Sequence, residues 1–377
     1  MTVWRYLAAR NVGGAEGLAF DEALMAGHGR GQQAAPVLRL YTYASHVALC
    51  GRYQHIEAEL NIDACRRTGT EIGRRPTGGG AIVMGVGQLG VAVVTNAPTT
   101  MRPKDLLEQF SLGIVCGLAK LGIDARFSGK NDLKVDGRKI AGLGLYLDGT
   151  GALLFHSSIL ADLDIPFMLE VLDVPAAKLG AAGPAAVAER ITTVSRETRE
   201  PCTGDTIRDA VALGFCEALA IELAESTPTD TEVRDAADLV TGKYATDEWR
   251  FQRSPQADAN SSSMVKTPGG LVRVYVALQG DTIKSAMFTG DFNEMPAPLA
   301  EYESALKWAR ADPDALTALA RRSCGHDTGL GVPPEQLADA VWQAAAQAME
   351  HGVAAPLIEG SCYFPESGEV VPGEVSA

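Results

Sequence analysis

Two arginines stand directly before a bare backbone ribbon, Arg74-Arg75-Pro76-Thr77-Gly78-Gly79-Gly80-Ala81-Ile82-Val83-Met84. Consecutive glycines remove every Cβ from that backbone, so a ligand can lie against it with the amides aimed at it. With guanidinium groups alongside, the fitting guest is an anion such as a phosphate or an adenylate. The plainer reading of a triple glycine is a linker or a barrel bend. Here the flanks are apolar and strand-like, not Ser-rich or Pro-rich, which argues against a linker. The Gly-x-x-x-x-Gly-Lys-Ser/Thr phosphate loop is absent.

A second stretch with chemical potential runs from Gly129 to Gly144. Asn131-Asp132 offers an amide and a carboxylate at one turn, suited to a ribose, a nucleotide or Mg2+. Lys139 opens an apolar run, Ile140-Ala141-Gly142-Leu143-Gly144, with small residues around it. A lysine so placed can aim its ammonium into a cleft, as a point charge on a carbonyl or phosphate oxygen. The plainer reading makes Asn131-Asp132 turn residues and lets Lys139 reach out to water.

The periodicity around these stretches predicts the elements that hold them. Residues 15 to 27 read as a helix, with Leu18, Leu24 and Met25 on one face. Val37 to Tyr43 alternates as a strand, and His46 to Tyr53 reads as its partner. A helix is expected over Leu60 to Thr68, and a strand over Val91 to Thr95. Pro103 to Gly122 is the clearest helix, with Leu106, Leu107, Phe110, Ile114 and Leu118 at helical spacing. Short β runs follow: Leu133 to Val135, Ile140 to Leu147 and Ala152 to Leu160, the last two joined across Asp148-Gly149-Thr150-Gly151. Helices are expected over Asp164 to Leu172 and Thr206 to Ala224, with a surface loop over Ala176 to Ala188. Helices alternating with antiparallel hairpins make the fold class α+β.

Residues 254 to 263, rich in serine, read as a linker. Beyond it a hairpin (Leu271 to Leu278, Thr282 to Thr289) and three proline-initiated helices form a smaller module. The expected organisation is a catalytic domain over 1–253, an accessory α+β domain over 264–357 and a tail over 358–377.

At 377 residues the chain exceeds one core of usual size. With 46% hydrophobic and 21% charged residues it reads as a globular protein. No apolar run reaches the roughly 18 residues of a membrane span. The N-terminus lacks a signal-peptide pattern, so a cytoplasmic location is expected. Cys50, Cys65, Cys116, Cys202, Cys216, Cys324 and Cys362 contain no Cys-x-x-Cys pair and read as free thiols. A net charge of −14 argues against general nucleic-acid binding. Local positive clusters at Arg66, Arg67, Arg74 and Arg75, and at Lys130, Lys134, Arg138 and Lys139, suit an anionic ligand or an acidic partner. Cys324-Gly325-His326-Asp327 reads as a loop, and His156 as a core histidine.

Arg74-Arg75-x-Thr77-Gly78-Gly79-Gly80-Ala81-Ile82, followed by Asn131-Asp132-Leu133-x-Val135-x-Gly137-Arg138-Lys139-Ile140-Ala141-Gly142, resembles the lipoate–protein ligase family. That family sits within the biotin/lipoate ligase and octanoyltransferase superfamily. Gly51-Arg52-Tyr53-Gln54, the segment from His156 to Asp164, and Thr289-Gly290-Asp291-Phe292 extend the resemblance over nearly the whole chain. It implies a mixed, twisted β-sheet catalytic domain with a small C-terminal domain. It implies activation of lipoate with ATP and Mg2+ to lipoyl-AMP, then transfer to a lysine of an acceptor lipoyl domain. Such acceptors are 2-oxoacid dehydrogenase subunits and the glycine-cleavage H protein. A monomer is expected, with neither nucleic acid nor membrane as partner.

Carried over by motif, Lys139 is the catalytic residue, touching acyl carbonyl and phosphate. Arg74, Arg75, Gly78, Gly79, Gly80, Ala81, Ile82 and Val83 are expected at the nucleotide and acyl-phosphate. Asn131 and Asp132 belong at the nucleotide end, with Asp132 as the metal ligand. The acyl slot is expected from Ile82, Val83, Met84, Leu89 and Val91. The chain departs from the pattern at Met84-Gly85, where many members carry His-Asp.

Two alternatives remain open. An octanoyltransferase would need a cysteine thiolate beside the lysine, yet the corresponding stretches read Asn131-Asp132 and Ile165-Pro166-Phe167. A non-catalytic relative would bind the lipoyl group without turning it over.

Overall fold

The computed structural model describes residues 2–31, 35–98, 101–174, 185–259 and 261–350. The chain divides into two compact units. The first comprises Met1–Ser254 together with Thr289–Met295, and the second Pro255–Phe288 and Pro296–Ala377. The segment Thr289–Met295 thus groups with the first unit, whereas the sequence reading assigns it to the accessory domain.

The first unit is built on β1 (Thr2–Val12), β2 (Val37–Tyr43), β3 (Val47–Cys50), β4 (Glu71–Arg74), β5 (Ile82–Met84) and β6 (Gln88–Asn96). It continues with β7 (Arg126–Ser128), β8 (Asp132–Val135), β9 (Arg138–Leu147), β10 (Ala152–Leu160) and β11 (Ile221–Glu225). Eight strands form one mixed sheet, ordered β11-β1-β2-β6-β10-β9-β8-β7. The β11-β1-β2 side is parallel and the rest antiparallel. A second small sheet has the order β4-β3-β5.

Strand β2 shows why the sheet is covered on both faces. Every residue in it is buried. Leu38 and Leu40 face the helices Pro103–Lys120 and Gly204–Leu219, joining Leu106, Phe110, Ile114, Ile207 and Phe215. Tyr41 and Tyr43 face the other way, toward Leu18 and Leu24 of helix Gly14–Gly29 and Leu49 and Met84 of the small sheet. Period-two alternation sorts the residues between the two layers, and each buried aliphatic chain contributes roughly 1.5–3 kcal/mol. The outer face of the small sheet, with Ala48, Cys50 and Val83, packs on Ala64 and Cys65 of helix Ile62–Thr68 and on Met168 and Val171 of helix Ile165–Val171.

Several elements differ from expectation for identifiable reasons. Val47–Cys50 does not pair with β2 but with β4 and β5, because β2 already has β1 and β6 on its two edges. The sequence does not mark strand β1, whose pattern mixes exposed and buried positions without clean alternation. The helix expected to Ala224 stops at Leu219, where Ala220 turns left-handed (φ 51°), and Ile221–Glu225 pairs parallel with β1. Most of the expected loop Ala176 to Ala188, and the tail 358–377, lie outside the described residues.

The second unit holds a three-stranded sheet, β12 (Ser261–Thr267), β13 (Gly270–Gln279) and β14 (Thr282–Gly290, its last two residues grouping with the first unit), in that order. Helices Ala297–Ala305, Pro313–Cys324 and Pro334–Glu350 accompany it. Part of the expected serine linker is therefore strand. Buried Ser261 and Ser263 donate to the carbonyls of Ala344 and Ala340 at 2.7 and 2.6 Å, so their hydroxyls are satisfied inside the fold.

Candidate active site

The glycine turn is shaped by the arginines before it. Arg74 is fully buried. Its guanidinium donates to the carbonyls of Gly51, Arg52 and Gln54 at 2.9, 2.9 and 2.7 Å, and to those of Arg250 and Trp249 at 2.8 and 3.1 Å. Arg75 donates to Leu49, Gly78 and Gly80 carbonyls at 2.9, 2.9 and 2.7 Å. Burial brings each guanidinium down to about 10, which leaves both charged at neutral pH. Gly79 has φ +91°, a conformation that L side chains rarely adopt. Its amide donates to the Phe292 carbonyl at 3.0 Å, so this one of the three glycine amides is already engaged. Gly51 permits the approach from below: a Cβ there would stand 2.0 Å from the Gly79 carbonyl oxygen.

Thr77 fastens the turn to the large sheet. Its hydroxyl lies 2.9 Å from His156 Nε2, on β10. His156 has room only because Gly144 stands opposite it on β9; a Cβ at Gly144 would meet Nε2 at 2.1 Å. Burial, with a smaller push from Arg75, takes the imidazole down to about 3, so it is neutral.

The lysine comes from the β8–β9 hairpin. A register slip between Leu133 and Lys134 offsets the two strands. Lys139 turns back over Gly142, where a Cβ would be 3.1 Å from Nζ. The ammonium lies 2.7 Å from Asp132 Oδ1. Asn131 braces the hairpin end: its Nδ2 donates to the Leu143 carbonyl at 3.1 Å, and the Leu143 amide donates to the Asn131 carbonyl at 2.8 Å.

Both stretches open into one cavity of about 150 Å3. Of the expected site residues, Arg75, Gly78, Gly79, Gly80, Ala81, Ile82, Asn131 and Lys139 line it. Arg74, Val83 and Asp132 do not. Arg74 is a clamp on protein carbonyls, and Val83 points to the opposite face of its short strand. Asp132 reaches the cavity only through Lys139.

The acyl slot also needs correction. Ile82 and Met84 line the cavity, but Leu89 and Val91 point to the helix side of the sheet. Alternation along β6 explains this: Gly90, not its neighbours, faces the cavity layer, and a Cβ there would strike the Tyr41 ring at 2.8 Å. The apolar wall instead comes from Leu18, Tyr41, Tyr43 and Leu49, while Leu143 shares the helix-side face of Val91 and meets the cavity with its main chain. Tyr41 is held by its hydroxyl, which donates to Asp21 at 3.1 Å, and by Arg39, whose guanidinium carbon is 4.0 Å from the ring centroid. Arg39 and Asp21 pair at 2.6 Å within the core. His156, Ser157 and Ser158 complete the lining. In sequence His156 is marked by the motif segment that it opens and by Gly142 and Gly144, whose meaning depends on strand register.

Among the described residues no cysteine lines this cavity. Cys50 lies behind the turn, fully buried, and burial pushes its thiol up to about 12. Among the described residues no group of three or more His, Cys, Asp or Glu side chains could hold a metal. Asp132, the expected ligand, is engaged by an ammonium. The described side chains thus offer no cluster that would hold Mg2+ by itself. Among the described residues no helix is long and apolar enough to cross a membrane.

The family model for the lipoyl protein ligase A/B catalytic domain matches residues 14–216. Octanoyltransferase LipM of Symbiobacterium thermophilum is 31% identical over 277 residues, spanning 67% of this chain and 99% of that protein. A bi-partite lipoate protein ligase from Thermoplasma acidophilum, studied with its E2 lipoyl domain, superposes with a TM-score of 0.60 at 30% identity, covering 68% of this chain and 99% of the other. A lipoate-protein ligase A bound with ATP superposes at 0.59 and 29% identity, covering 67% and 100%. The cavity, the glycine turn and the fold around them place this chain in the lipoyl protein ligase A/B catalytic-domain family.

Proposed function

We propose that this protein activates lipoate with ATP as lipoyl-AMP and transfers the acyl group to one lysine of a lipoyl acceptor domain. The observation that carries this reading is the meeting of Lys139 with the Arg75-braced glycine turn in one cavity that has an apolar wall and, among the described residues, no cysteine. Adenylation builds negative charge at phosphorus, and aminolysis builds it on the acyl oxygen. A fixed ammonium beside a glycine turn suits both, and one well-placed donor of this kind is worth about 10²–10³ in rate. The acceptor's own lysine attacks, so no enzyme nucleophile is required.

The nucleotide would be held by Arg75, the glycine turn and Asn131. Mg2+ would be held by phosphates and water, as this ion commonly is. Acceptors of the expected kind are 2-oxoacid dehydrogenase lipoyl domains and the glycine-cleavage H protein, and the archaeal relative studied with its E2 lipoyl domain supports that class.

The match to octanoyltransferase LipM favours a second reading, transfer of octanoyl from a carrier protein without ATP. That chemistry uses a thiolate near the lysine. Against it stand a cavity lining without cysteine among the described residues and the raised Cys50 thiol.

The test is the intact mass of an apo lipoyl domain after incubation with the full chain. One arm supplies ATP, Mg2+ and free lipoate or octanoate; the other supplies octanoyl-carrier protein without ATP. ATP-dependent gain of the acyl mass is expected. Gain only in the second arm would establish the transferase reading, and gain in neither would leave a non-catalytic binder.

A further inference from the structure

We propose that Asp132 is a positioning residue for Lys139 and not a metal ligand; the inference rests on the acyl-transfer reading of this site. Three features converge on it. Asp132 sits opposite Gly142 in the β8–β9 register, and Lys139 curls back over that same glycine, with Cε and Nζ 3.3 and 3.1 Å from where a Cβ would be. The carboxylate meets the ammonium at 2.7 Å. Asn131, one residue earlier, locks this end of β8 to Leu143 from both its side chain and its main chain.

Magnitude separates positioning from stability. The two side chains keep 36% and 27% of their exposure. A pair this open to water contributes at most about 1 kcal/mol to folding. What it does fix is direction. A free lysine samples many rotamers, whereas one tethered at 2.7 Å keeps one N–H on the carboxylate and two for a substrate. The two remaining donors match an acyl oxygen and a phosphate oxygen. A dication on the same carboxylate would stand within a few ångströms of the ammonium, a like-charge arrangement that the pair opposes.

The test compares the full-length wild type with Asp132→Asn and Asp132→Glu in acyl transfer to an apo lipoyl domain, across a Mg2+ titration. Expected for Asp132→Asn is a kcat lowered about 10- to 100-fold, the scale of a misplaced catalytic group. The KM for the acyl donor and the half-saturating Mg2+ concentration stay within about twofold, and Asp132→Glu restores most of the loss. An unchanged kcat overturns the proposal, and so does a raised Mg2+ requirement whose loss is recovered at saturating Mg2+. A second readout does not depend on turnover. Acetic anhydride labelling read by mass spectrometry should change at Lys139 in Asp132→Asn while exposed Lys104 stays constant. Identical Lys139 labelling in both proteins also overturns the proposal. If the wild type transfers nothing from any donor, the functional reading falls, and the labelling still decides the pair.

Discussion

The glycine turn and the β8–β9 hairpin both read in sequence as clusters of cations, yet they use those cations oppositely. Around the turn the positive groups are held by the protein itself, and of them Arg75 also lines the cavity. Arg66 pairs with Asp63 at 3.0 Å and Arg67 with Glu170 at 2.7 Å, while Arg74 and Arg75 donate to main-chain carbonyls. In the hairpin Arg138 is likewise taken, by Glu197 at 3.0 Å, but Lys139, paired with Asp132 through one side, lines the cavity. A run of basic residues in an acidic chain therefore does not mark a basic surface. In the turn, charge builds the backbone shape; in the hairpin, one charge is left where a substrate would meet it.

The sharpest way to break this contrast is Arg74→Ala. It strands five carbonyls, those of Gly51, Arg52, Gln54, Trp249 and Arg250, that the guanidinium now satisfies. A loss above about 3 kcal/mol is expected, seen as a large fall in Tm or as insoluble protein. A soluble variant with wild-type Tm but no nucleotide binding would return Arg74 to the ligand.

Gly51→Ala tests the turn without touching a charge. The new Cβ must displace the Gly79 carbonyl. A displacement near 1 Å at a positioning element costs about 10²-fold in turnover, measured by acceptor mass at early times. Unaltered turnover would show that the turn's shape does not matter.

His156→Gln sharpens the comparison through pH. The folded imidazole lies at about 3 against an ordinary 6.5, so between these values the unfolded chain binds a proton that the folded one does not. The contribution is complete above pH 6.5 and is lost as pH falls toward 3. Urea melts from pH 7 to pH 4 should show a shallower acid loss in the variant. Equal slopes would mean that His156 already carries a proton in the native protein.

The smallest expected effect is none. Cys50→Ala and Cys362→Ser should leave acyl transfer within about twofold, because the proposed chemistry needs no enzyme thiolate. Loss of transfer in either would move the reading to an octanoyl carrier mechanism.

Much of the layout was legible because local signals and tertiary packing agreed. Pro103 and the apolar spacing of Leu106, Phe110 and Ile114 mark a helix that forms as read. Asn61 caps its helix by accepting from the Ala64 amide at 3.0 Å. The paired motifs did come together at one cavity. What the sequence hid was direction. Leu89, Val91 and Val83 look like acyl-slot residues until strand register sends them to other layers. His156 reads as core until Gly144 and Thr77 are seen beside it. The partner of β3 could not be read, since edge availability belongs to the assembled sheet.

The most direct test of the whole account is single-turnover acylation of an apo lipoyl domain by Lys139→Ala beside the wild type, with the donor that the wild type uses. The account predicts a rate lowered by about 10²–10³, with Tm shifted little because the Lys139–Asp132 pair is half-buried and contributes at most about 1 kcal/mol. Wild-type acylation by a folded Lys139→Ala protein would contradict it.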